Sequence, residues 1–247
     1  MSKYHKNIKD ALPDPKRVKK IKKDLESKGV KYIYSNWIDF LGSPKTKPMP
    51  ISDFEDLCAG KGPQFAVHSV SFVPELTPAD NDQIPVPDLD SLVICPWDKT
   101  CAWVFADLYW NDKPYDVCPR MTLKRQIKKC EKSDLKFFVG IEPEFFLMKW
   151  DGDKPVKAID RDPIPLRRQA FGYDAEYSID GMNFLKEIID ILNNDLKWDL
   201  HDVVAEGAYG QYELDFGYTD ILSMADRFVF LRVLLKELAK KYGYFVS

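Results

Sequence analysis

The sequence predicts an α+β fold with a small β-rich N-terminal domain, followed by a part in which helices and strands alternate. In residues 30–110, short apolar and aromatic runs are separated by segments rich in Pro and Asp, which is typical of strands joined by turns. After residue 119, apolar residues at helical spacing alternate with strand-like runs. The 247 residues are 45% hydrophobic and 13% aromatic, which is enough apolar material for one large domain or two modest ones.

The overall composition excludes several classes of function. The 36 Lys and Arg residues are balanced by 39 Asp and Glu residues, so no overall positive field favours nucleic acid. No apolar run approaches the ~20 residues of a membrane span, and the polar N-terminus does not resemble a secretory signal. Five cysteines, an odd number without a CxxC pair, are typical of reduced thiols. We therefore expect a cytoplasmic protein whose partners include neither nucleic acid nor membrane.

Residues 1–14 are predicted to form a tail, and residues 15–112 a β-rich domain. The domain begins with a helix, because Asp14 and Pro15 suit the N-cap and first helical positions and Gly29 suits the position after the helix end. A strand, a Pro-rich loop and an aromatic hairpin are predicted to follow, at 31–39, 77–90 and 91–110.

Residues 113–247 are predicted to form the second domain. Its longest helix begins at Asp220, where apolar residues recur at steps of three and four and form one continuous stripe. The stripe consists of Ile221, Met224, Phe228, Leu231, Leu235 and Leu238. The preceding elements are a helix at 119–133, two strand-like runs at 137–150, an irregular polar segment at 151–180, a helix at 182–192 and strands within 203–216.

The last residues, YGYFVS, are predicted to begin a buried strand that nothing follows or pairs with. This indicates a truncated chain, or one that a partner completes. Because an uncovered apolar surface promotes association, we expect the isolated chain to self-associate.

Two acidic residues, Glu142 and Glu144, lie two positions apart in a predicted strand. Alternate strand residues share a face, so both carboxylates are expected on one face, with Phe145 and Leu147 on the opposite, core-facing side. Like charges on one face repel each other unless a cation lies between them. For this motif alone, two solvated surface charges remain the simpler interpretation.

A second acidic segment, AEGAYGQYELDF, favours a cation site over solvated surface charges. Glu206 and Glu213 flank a Gly-containing turn, and Gln211, Glu213 and Asp215 share one strand face. Carboxylates on strands with apolar reverse faces suit a hard divalent cation such as Mg²⁺ or Mn²⁺. Such ions serve phosphoryl transfer, and the absence of a GxxxxGK[ST] motif excludes a P-loop as the phosphate site.

These two segments resemble the glutamine synthetase family. GIEPEFFLM at 140–148 is similar to the family's GxEPEFFLF strand, and EGAYGQYELDF at 206–216 is similar to its EVAPGQxEIDF segment. The helix after Asp220 and the N-terminal segments KYIYSNWID, DQIPVPDLDSLVICPW and CPRMTLKRQ also resemble their counterparts. The resemblance covers nearly the whole chain from about residue 15.

The resemblance implies a β-grasp-like N-terminal domain and the first half of a catalytic α/β domain of glutamine synthetase type. Members form ring-shaped homo-oligomers and bind two or three divalent ions in a funnel between subunits. They make γ-glutamyl phosphate from glutamate and ATP, and ammonia or an amine then displaces the phosphate.

The resemblance also implies roles for individual residues. Glu144, Glu206 and Glu213 match the ligands of the ion beside glutamate, and Glu142 matches one ligand of the ion that bridges the ATP phosphates. Tyr218 matches the aromatic residue that stacks on adenine. His201, at the start of the second acidic strand, is a further candidate for a contact with ATP.

Two features depart from the family pattern. The chain stops before the family's NGSGMH segment, its phosphate-binding arginines and a further metal-binding Glu, so one metal site is present in full and the other in part. The family's ammonium-binding Asp should follow Phe in an FDGSS-like loop, but the loop here reads QFAVHS and has Ala66 at that position. An apolar Ala suits an alkylamine better than ammonium.

Three functions therefore remain open from the sequence. The first is ATP-dependent ligation of ammonia to the γ-carboxylate of glutamate. The second is ligation of an amine, as in γ-glutamyl-methylamide or γ-glutamyl-polyamine ligases. The third is a non-catalytic, truncated homologue that acts by assembly. The missing half favours this interpretation, whereas the intact metal-binding carboxylates of the chain argue against it.

Overall fold

The computed structural model describes residues 4–68, 76–159 and 172–247 of the chain. They divide into two compact units between Phe137 and Phe138. The sequence placed the boundary after residue 112, whereas contacts group the following helix with the first unit. In the part of the chain described, no helix is both long and apolar enough to cross a membrane.

A mixed sheet forms the centre of the first unit. Its strands are β1 (Tyr32–Ile38), β2 (Pro44–Pro50), β3 (Ile84–Pro87), β4 (Val93–Ile94), β5 (Cys101–Trp110) and β6 (Lys113–Pro114). The order is β2-β1-β5-β3, and β4 and β6 also pair with β5. Only the β1–β5 pair is parallel among these strands. The strand predicted at 31–39 and the hairpin predicted at 91–110 are confirmed as β1 and β4–β5, while the β-grasp assignment stays a prediction.

The edge strands β2 and β3 were not predicted, because both contain several prolines. Directly after β2, the Ile51 amide donates to Lys31 O (2.8 Å), and directly after β3, the Asp88 amide donates to Phe105 O (2.8 Å). These two bonds identify the alternate residues of each strand whose amides face the neighbouring strand. In each strand the prolines occupy the alternate positions, so their nitrogens point away from the partner. Proline is tolerated in an edge strand for this reason, and it also blocks further pairing at the edge.

The sheet is accompanied by helices α1 (Ile8–Ala11), α2 (Pro15–Ser27), α3 (Phe54–Cys58) and α4 (Pro119–Glu131). Helix α2 is confirmed, with the Asp14 side chain accepting a hydrogen bond from the Lys16 amide (3.1 Å) and Gly29 at φ +84°. Helix α1 corrects the predicted tail, because Ile8 is buried against the core of the unit. The five cysteines are free thiols, as expected.

A buried ion-pair network joins α4 to the sheet. Arg120 pairs with Asp88 (2.7 Å) and with Asp107, and Lys124 pairs with Asp88 (3.2 Å) and with Asp107. All four side chains are at most 10% exposed. The predicted apolar face of this helix, Leu123, Ile127 and Cys130, is only half-buried. The charged face is buried instead, because Asp107 of β5 and Asp88, directly after β3, neutralise it.

Within the described residues, the second unit contains a sheet of five strands backed by helices. Its elements are β7 (Phe138–Val139), β8 (Glu144–Asp151), β9 (Lys154–Lys157), α5 (Ala175–Asp190), β10 (Leu200–Ala205), β11 (Gln211–Phe216), β12 (Thr219–Asp220), α6 (Ile221–Lys241) and β13 (Phe245–Val246). The sheet order is β10-β11-β8-β13, β9 also pairs with β8, and β7 pairs with β12 separately. Helix α5 begins earlier than predicted, inside the segment predicted to be irregular, and residues 160–171 of that segment lie outside the described residues.

One face of this sheet is apolar and packs against the helices. Phe145, Leu147, Tyr212 and Leu214 are at most 4% exposed. The Tyr212 ring lies so close to Gly181 of α5 that a Cβ there would approach its ring atoms to 2.6 Å, and its hydroxyl donates to the Tyr177 carbonyl (3.2 Å). These contacts fix the side of β11 that packs against the helices. The alternate residues of the strand therefore lie on the side of the sheet away from the helices.

Helix α6 is confirmed, with its N-cap at Asp220, whose side chain accepts from the Ser223 amide (3.1 Å). The predicted stripe is partly wrong: Phe228 is 39% exposed and Ile221 is only half-buried. The buried residues of the helix are Leu222, Met224, Phe230, Leu231, Leu234, Leu235, Leu238 and Ala239. The buried face is therefore wider than a single stripe, as expected for a helix that packs on a sheet.

The terminal strand β13 has a partner. Phe245 lies opposite Met148 and Val246 opposite Leu147 in an antiparallel pair with β8. The expectation that nothing pairs with these residues is therefore wrong.

Candidate divalent-cation site

The carboxylates predicted to bind metal converge on the face of the second sheet that is opposite the helices. Glu144 is the first residue of β8 and pairs directly with Glu213 of β11. Glu142 lies before the strand, which corrects its predicted placement within it. The intervening Pro143 has no amide hydrogen, but its carbonyl accepts from the Leu214 amide (3.2 Å), so the chain continues along β11.

Two groups of carboxylates form here. Ligand oxygens of Glu144, Glu206 and Glu213 lie within 4.8 Å of one another, and so do those of Glu142, Glu213 and Asp215. Glu213 belongs to both groups. The four predicted ligands are thus brought together, and Asp215 joins them.

A tight turn between β10 and β11 positions Glu206. The Glu206 amide donates to Gln211 O (2.9 Å), and the Gly207 amide donates to the Glu206 carboxylate (3.1 Å). The buried Tyr209 anchors the turn, because its hydroxyl donates to Asp180 (3.3 Å) and the Lys157 ammonium lies 4.2 Å from its ring centroid. At the other side of the site, the Gln211 amide group donates to the Glu144 carboxylate.

The site concentrates negative charge. The pKa of Glu213 is raised to about 7, first by a hydrogen bond with Glu206, then by burial and by repulsion from Asp215, Glu206 and Glu144. The pKa of Asp215 is raised to about 6, first by burial and then by its hydrogen bond with Asp202. One oxygen of Asp215, Oδ1, is buried without a hydrogen-bond partner in the described residues. An all-oxygen group with excess charge and an unsatisfied acceptor fits a hard divalent cation.

Cation binding should therefore depend on pH. In the metal-free chain Glu213 holds its proton below a pKa of about 7, so a cation must displace that proton. We expect the Mn²⁺ affinity to rise roughly tenfold between about pH 6 and pH 8, with proton release on binding. Calorimetry in two buffers of different ionisation enthalpy measures both quantities. A pH-independent affinity without proton release would contradict the assignment of Glu213 as a ligand.

The two residues predicted to contact ATP lie outside both carboxylate groups. Tyr218 is 75% exposed, with its ring edge-on to Phe138 at 5.9 Å between centroids. His201 Nε2 lies 3.3 Å from Asp199 Oδ2, and both side chains are exposed. An exposed aromatic ring suits stacking on a nucleotide base, but both roles stay predictions.

Sequence reasoning missed Tyr173 beside this site. Its amide donates to the carbonyl of Ala205 (2.8 Å), directly before Glu206, while its ring is 83% exposed. Its φ of +64° is rare for a non-glycine residue. Neither periodicity nor spacing in the sequence signals such a backbone conformation.

The loop residue Ala66 belongs to the first unit. It is half-buried, and its neighbour Phe65 stacks on Trp37 with 3.9 Å between ring centroids. The backbone of Phe65 also exchanges two hydrogen bonds with Gln83 (2.8 and 3.3 Å). The position of Ala66 is therefore fixed by packing, whereas Ser69 of the same loop lies outside the described residues.

Fold and site together define a protein with an antiparallel sheet whose exposed face carries a carboxylate site suited to divalent cations. Residues 116–247, more than half of the chain, match the family model of the glutamine synthetase catalytic domain. The chain belongs to the glutamine synthetase family.

Similar proteins include glutamine synthetases and an amine ligase. The glutamine synthetase of Rhizobium meliloti is 33% identical over 216 residues, which are 87% of this chain and 47% of the relative. The glutamate–methylamine ligase of Methyloversatilis universalis is 28% identical over 228 residues, 90% of this chain and 49% of the relative. A solved GmaS–ADP complex is 28% identical with a TM-score of 0.80, covering 92% of this chain and 50% of that one. The chain thus spans about half the length of its relatives.

Proposed function

We propose that this chain provides the cation-binding part of an ATP-dependent ligase that joins ammonia or an amine to the γ-carboxylate of glutamate. The observation that carries the proposal is the convergence of Glu144, Glu206 and Glu213, with ligand oxygens within 4.8 Å. Membership of the glutamine synthetase family supports it, because the named relatives are ligases. As in the family resemblance, we expect a homo-oligomer.

Individual residues of the chain would have the following roles. Glu144, Glu206 and Glu213 would hold one Mg²⁺ or Mn²⁺ ion, and Glu142 would contribute to another. A bound divalent ion supplies charge neutralisation for the phosphoryl group that passes from ATP to glutamate. Gln211 holds the Glu144 carboxylate in place through its amide group. Tyr218 and His201 would contact ATP.

The function is tested by ADP release in the presence of glutamate and a panel of amines that includes ammonia. Glutamate- and amine-dependent ADP release is expected. Cation binding without ADP release under any of these conditions would instead favour the non-catalytic homologue that acts by assembly.

The nature of the acceptor depends on Ala66. Ammonium needs a carboxylate or several oxygens to replace its water, since an unpaired buried charge is unfavourable. An alanine supplies no such group, whereas an alkylamine gains about 0.8 kcal/mol for each buried CH₂. Glutamine synthesis remains the first candidate, and the similarity to a glutamate–methylamine ligase and to GmaS structures supports an amine ligase as the second.

The substitution Ala66→Asp distinguishes these acceptors. If the protein is an amine ligase, the unaltered protein has a higher kcat/KM with methylamine than with ammonia, and Ala66→Asp shifts the ratio toward ammonia by roughly fourfold or more, about the value of one CH₂ contact. The measurement is the ratio of the two kcat/KM values in both proteins, with Ala66→Asn as the uncharged control. If ammonia is already preferred with Ala66 in place, the amine-ligase alternative is wrong and glutamine synthesis stands.

A further inference from the structure

We propose that Tyr209 is a positioning residue of the cation site and that it determines which divalent cation the site prefers. Its side chain holds rigid the turn that carries Glu206, and this rigidity favours Mg²⁺ over the larger Ca²⁺. The inference deepens the proposed function and rests on it, because it takes the group of Glu144, Glu206 and Glu213 as the cation site.

The backbone of this turn is permissive on its own. Two of its residues, Gly207 and Gly210, are glycines, the residue type that loses the most conformational freedom on folding. A Cβ at Gly207 would meet no atom within 4 Å, so packing does not restrain the turn there. Among residues 206–210, Tyr209 is the one with a buried side chain. It is therefore the residue through which packing can stiffen the turn.

Tyr209 connects the turn to two neighbouring elements. Its ring packs on that of Tyr177 in α5, with 4.4 Å between centroids, and the Lys157 ammonium of β9 lies 4.2 Å from its centroid. Its hydroxyl donates to Asp180, also in α5 (3.3 Å). A Cβ at Gly210 would lie 3.6 Å from Lys157 Cγ, so the lysine stem also packs beside the backbone of the turn. The turn is thus held between a helix and a strand.

A departure from the family segment indicates why this side chain is needed. At the position of Tyr209, the segment EVAPGQxEIDF has a proline. A proline ring fixes φ at about −65° and so stiffens a turn through the backbone itself. A tyrosine does not restrict φ in this way. In this chain the contacts of the side chain have to supply the stiffness.

Rigidity of the ligands affects the choice between cations. Mg²⁺ requires nearly octahedral ligands at about 2.0–2.1 Å, whereas Ca²⁺ accepts flexible arrangements at about 2.3–2.6 Å. Glu144 and Glu213 lie on paired strands, which fix their backbone positions. Glu206 lies beyond the end of β10, in the turn. Loosening the turn therefore weakens Mg²⁺ binding more than Ca²⁺ binding.

Tyr209→Leu tests the proposal, with Mg²⁺ and Ca²⁺ titrated separately into the protein by calorimetry. Leucine keeps an apolar side chain at the buried position but removes the ring and the hydroxyl. We expect the Mg²⁺ affinity to fall about tenfold, as for the loss of an outer-shell partner, and the Ca²⁺ affinity to fall less. In the metal-free protein, hydrogen exchange at the Gln211 amide, which donates to Ala208 O (3.0 Å), should become faster.

Two further variants separate the contacts of Tyr209. Tyr209→Phe keeps the contacts of the ring and loses the hydrogen bond to Asp180, so it should retain most of the preference for Mg²⁺. Lys157→Met keeps the stem of a half-buried side chain and removes the ammonium beside the ring. It should lower the ratio of Mg²⁺ to Ca²⁺ affinity in the same direction as Tyr209→Leu, by a smaller factor.

Phe230→Leu is the matched control for the loss of a buried ring. Phe230 lies in α6 and packs on Trp198, with 5.6 Å between ring centroids. We expect this variant to have a lower Tm but an unchanged ratio of Mg²⁺ to Ca²⁺ affinity, because it leaves the turn intact.

An unchanged ratio in Tyr209→Leu would overturn the proposal, and so would an equal change in Phe230→Leu, since a general loss of stability would then explain the effect. If circular dichroism shows that Tyr209→Leu does not fold, Lys157→Met decides, and an unchanged ratio there overturns the proposal. Failure of the proposed function is recognised separately, because no Mg²⁺ binding sensitive to Glu144→Gln would then be found, and the inference would fall with it. If the role of Tyr209 alone is wrong, that binding remains.

Discussion

Replacing Glu213 with glutamine is expected to abolish cation binding at both carboxylate groups and ligase activity with it. Glu213 is the residue that the two groups share, and its oxygens lie within 4.8 Å of ligand oxygens on both sides. Loss of a direct, charged ligand should exceed the roughly 10–100-fold that outer-shell substitutions remove from metal affinity. Glu144→Gln should weaken only the group that contains it. Calorimetric titration with Mn²⁺ and the ADP-release assay measure the two effects.

Glu187→Gln provides a matched control for this experiment. Glu187 lies on α5 in a surface pair with Lys241 (2.8 Å) and accepts a hydrogen bond from Tyr242 (2.8 Å), away from the carboxylate face. We expect its Mn²⁺ titration to match that of the unaltered protein. Unchanged Mn²⁺ affinity in Glu213→Gln would refute the assignment of this site.

The second sheet could be read from the sequence because its two faces differ in polarity. Alternation in YELDF predicts which residues of β11 face the core, and Tyr212 and Leu214 are indeed buried while Glu213 lies on the opposite face. The same period places Glu144 correctly. Convergence of the carboxylates could not be derived from either segment alone, because it depends on the register between β8 and β11, which is set by tertiary pairing.

The first unit was harder to predict where its residues depart from the usual patterns of proline in loops and of apolar residues on the buried face of a helix. Strands β2 and β3 carry prolines that normally indicate loops, and only their edge positions make them compatible with a sheet. On α4, the charged residues Arg120 and Lys124 are more buried than the apolar Leu123. Hydrophobic periodicity cannot reveal such a face, since its burial depends on aspartates distant in sequence.

This buried network predicts a large loss of stability when one charge is removed. Asp107 pairs with both Arg120 and Lys124, which are 4% and 1% exposed. In Asp107→Asn, Arg120 and Lys124 would each lose an ion pair with a buried carboxylate, and breaking a buried pair in this way destabilises by about 3–5 kcal/mol. The free energy of unfolding should fall by that amount in denaturant titrations followed by tryptophan fluorescence.

Two further variants test the cause of that loss. Asp90→Asn removes an aspartate from an exposed pair with Arg17, with side chains 62% and 48% exposed, and should change stability by about 0–1 kcal/mol. Lys124→Met in the Asp107→Asn background keeps the pair of Arg120 with Asp88 (2.7 Å) and removes a buried ammonium that has lost its pair with Asp107. We expect this second substitution to restore part of the lost stability, because it removes a buried charge that has lost one of its carboxylate partners and keeps the side-chain volume. If Lys124→Met destabilises the Asp107→Asn protein further, excess buried positive charge is not the cause of the loss, and the role of the network is packing alone.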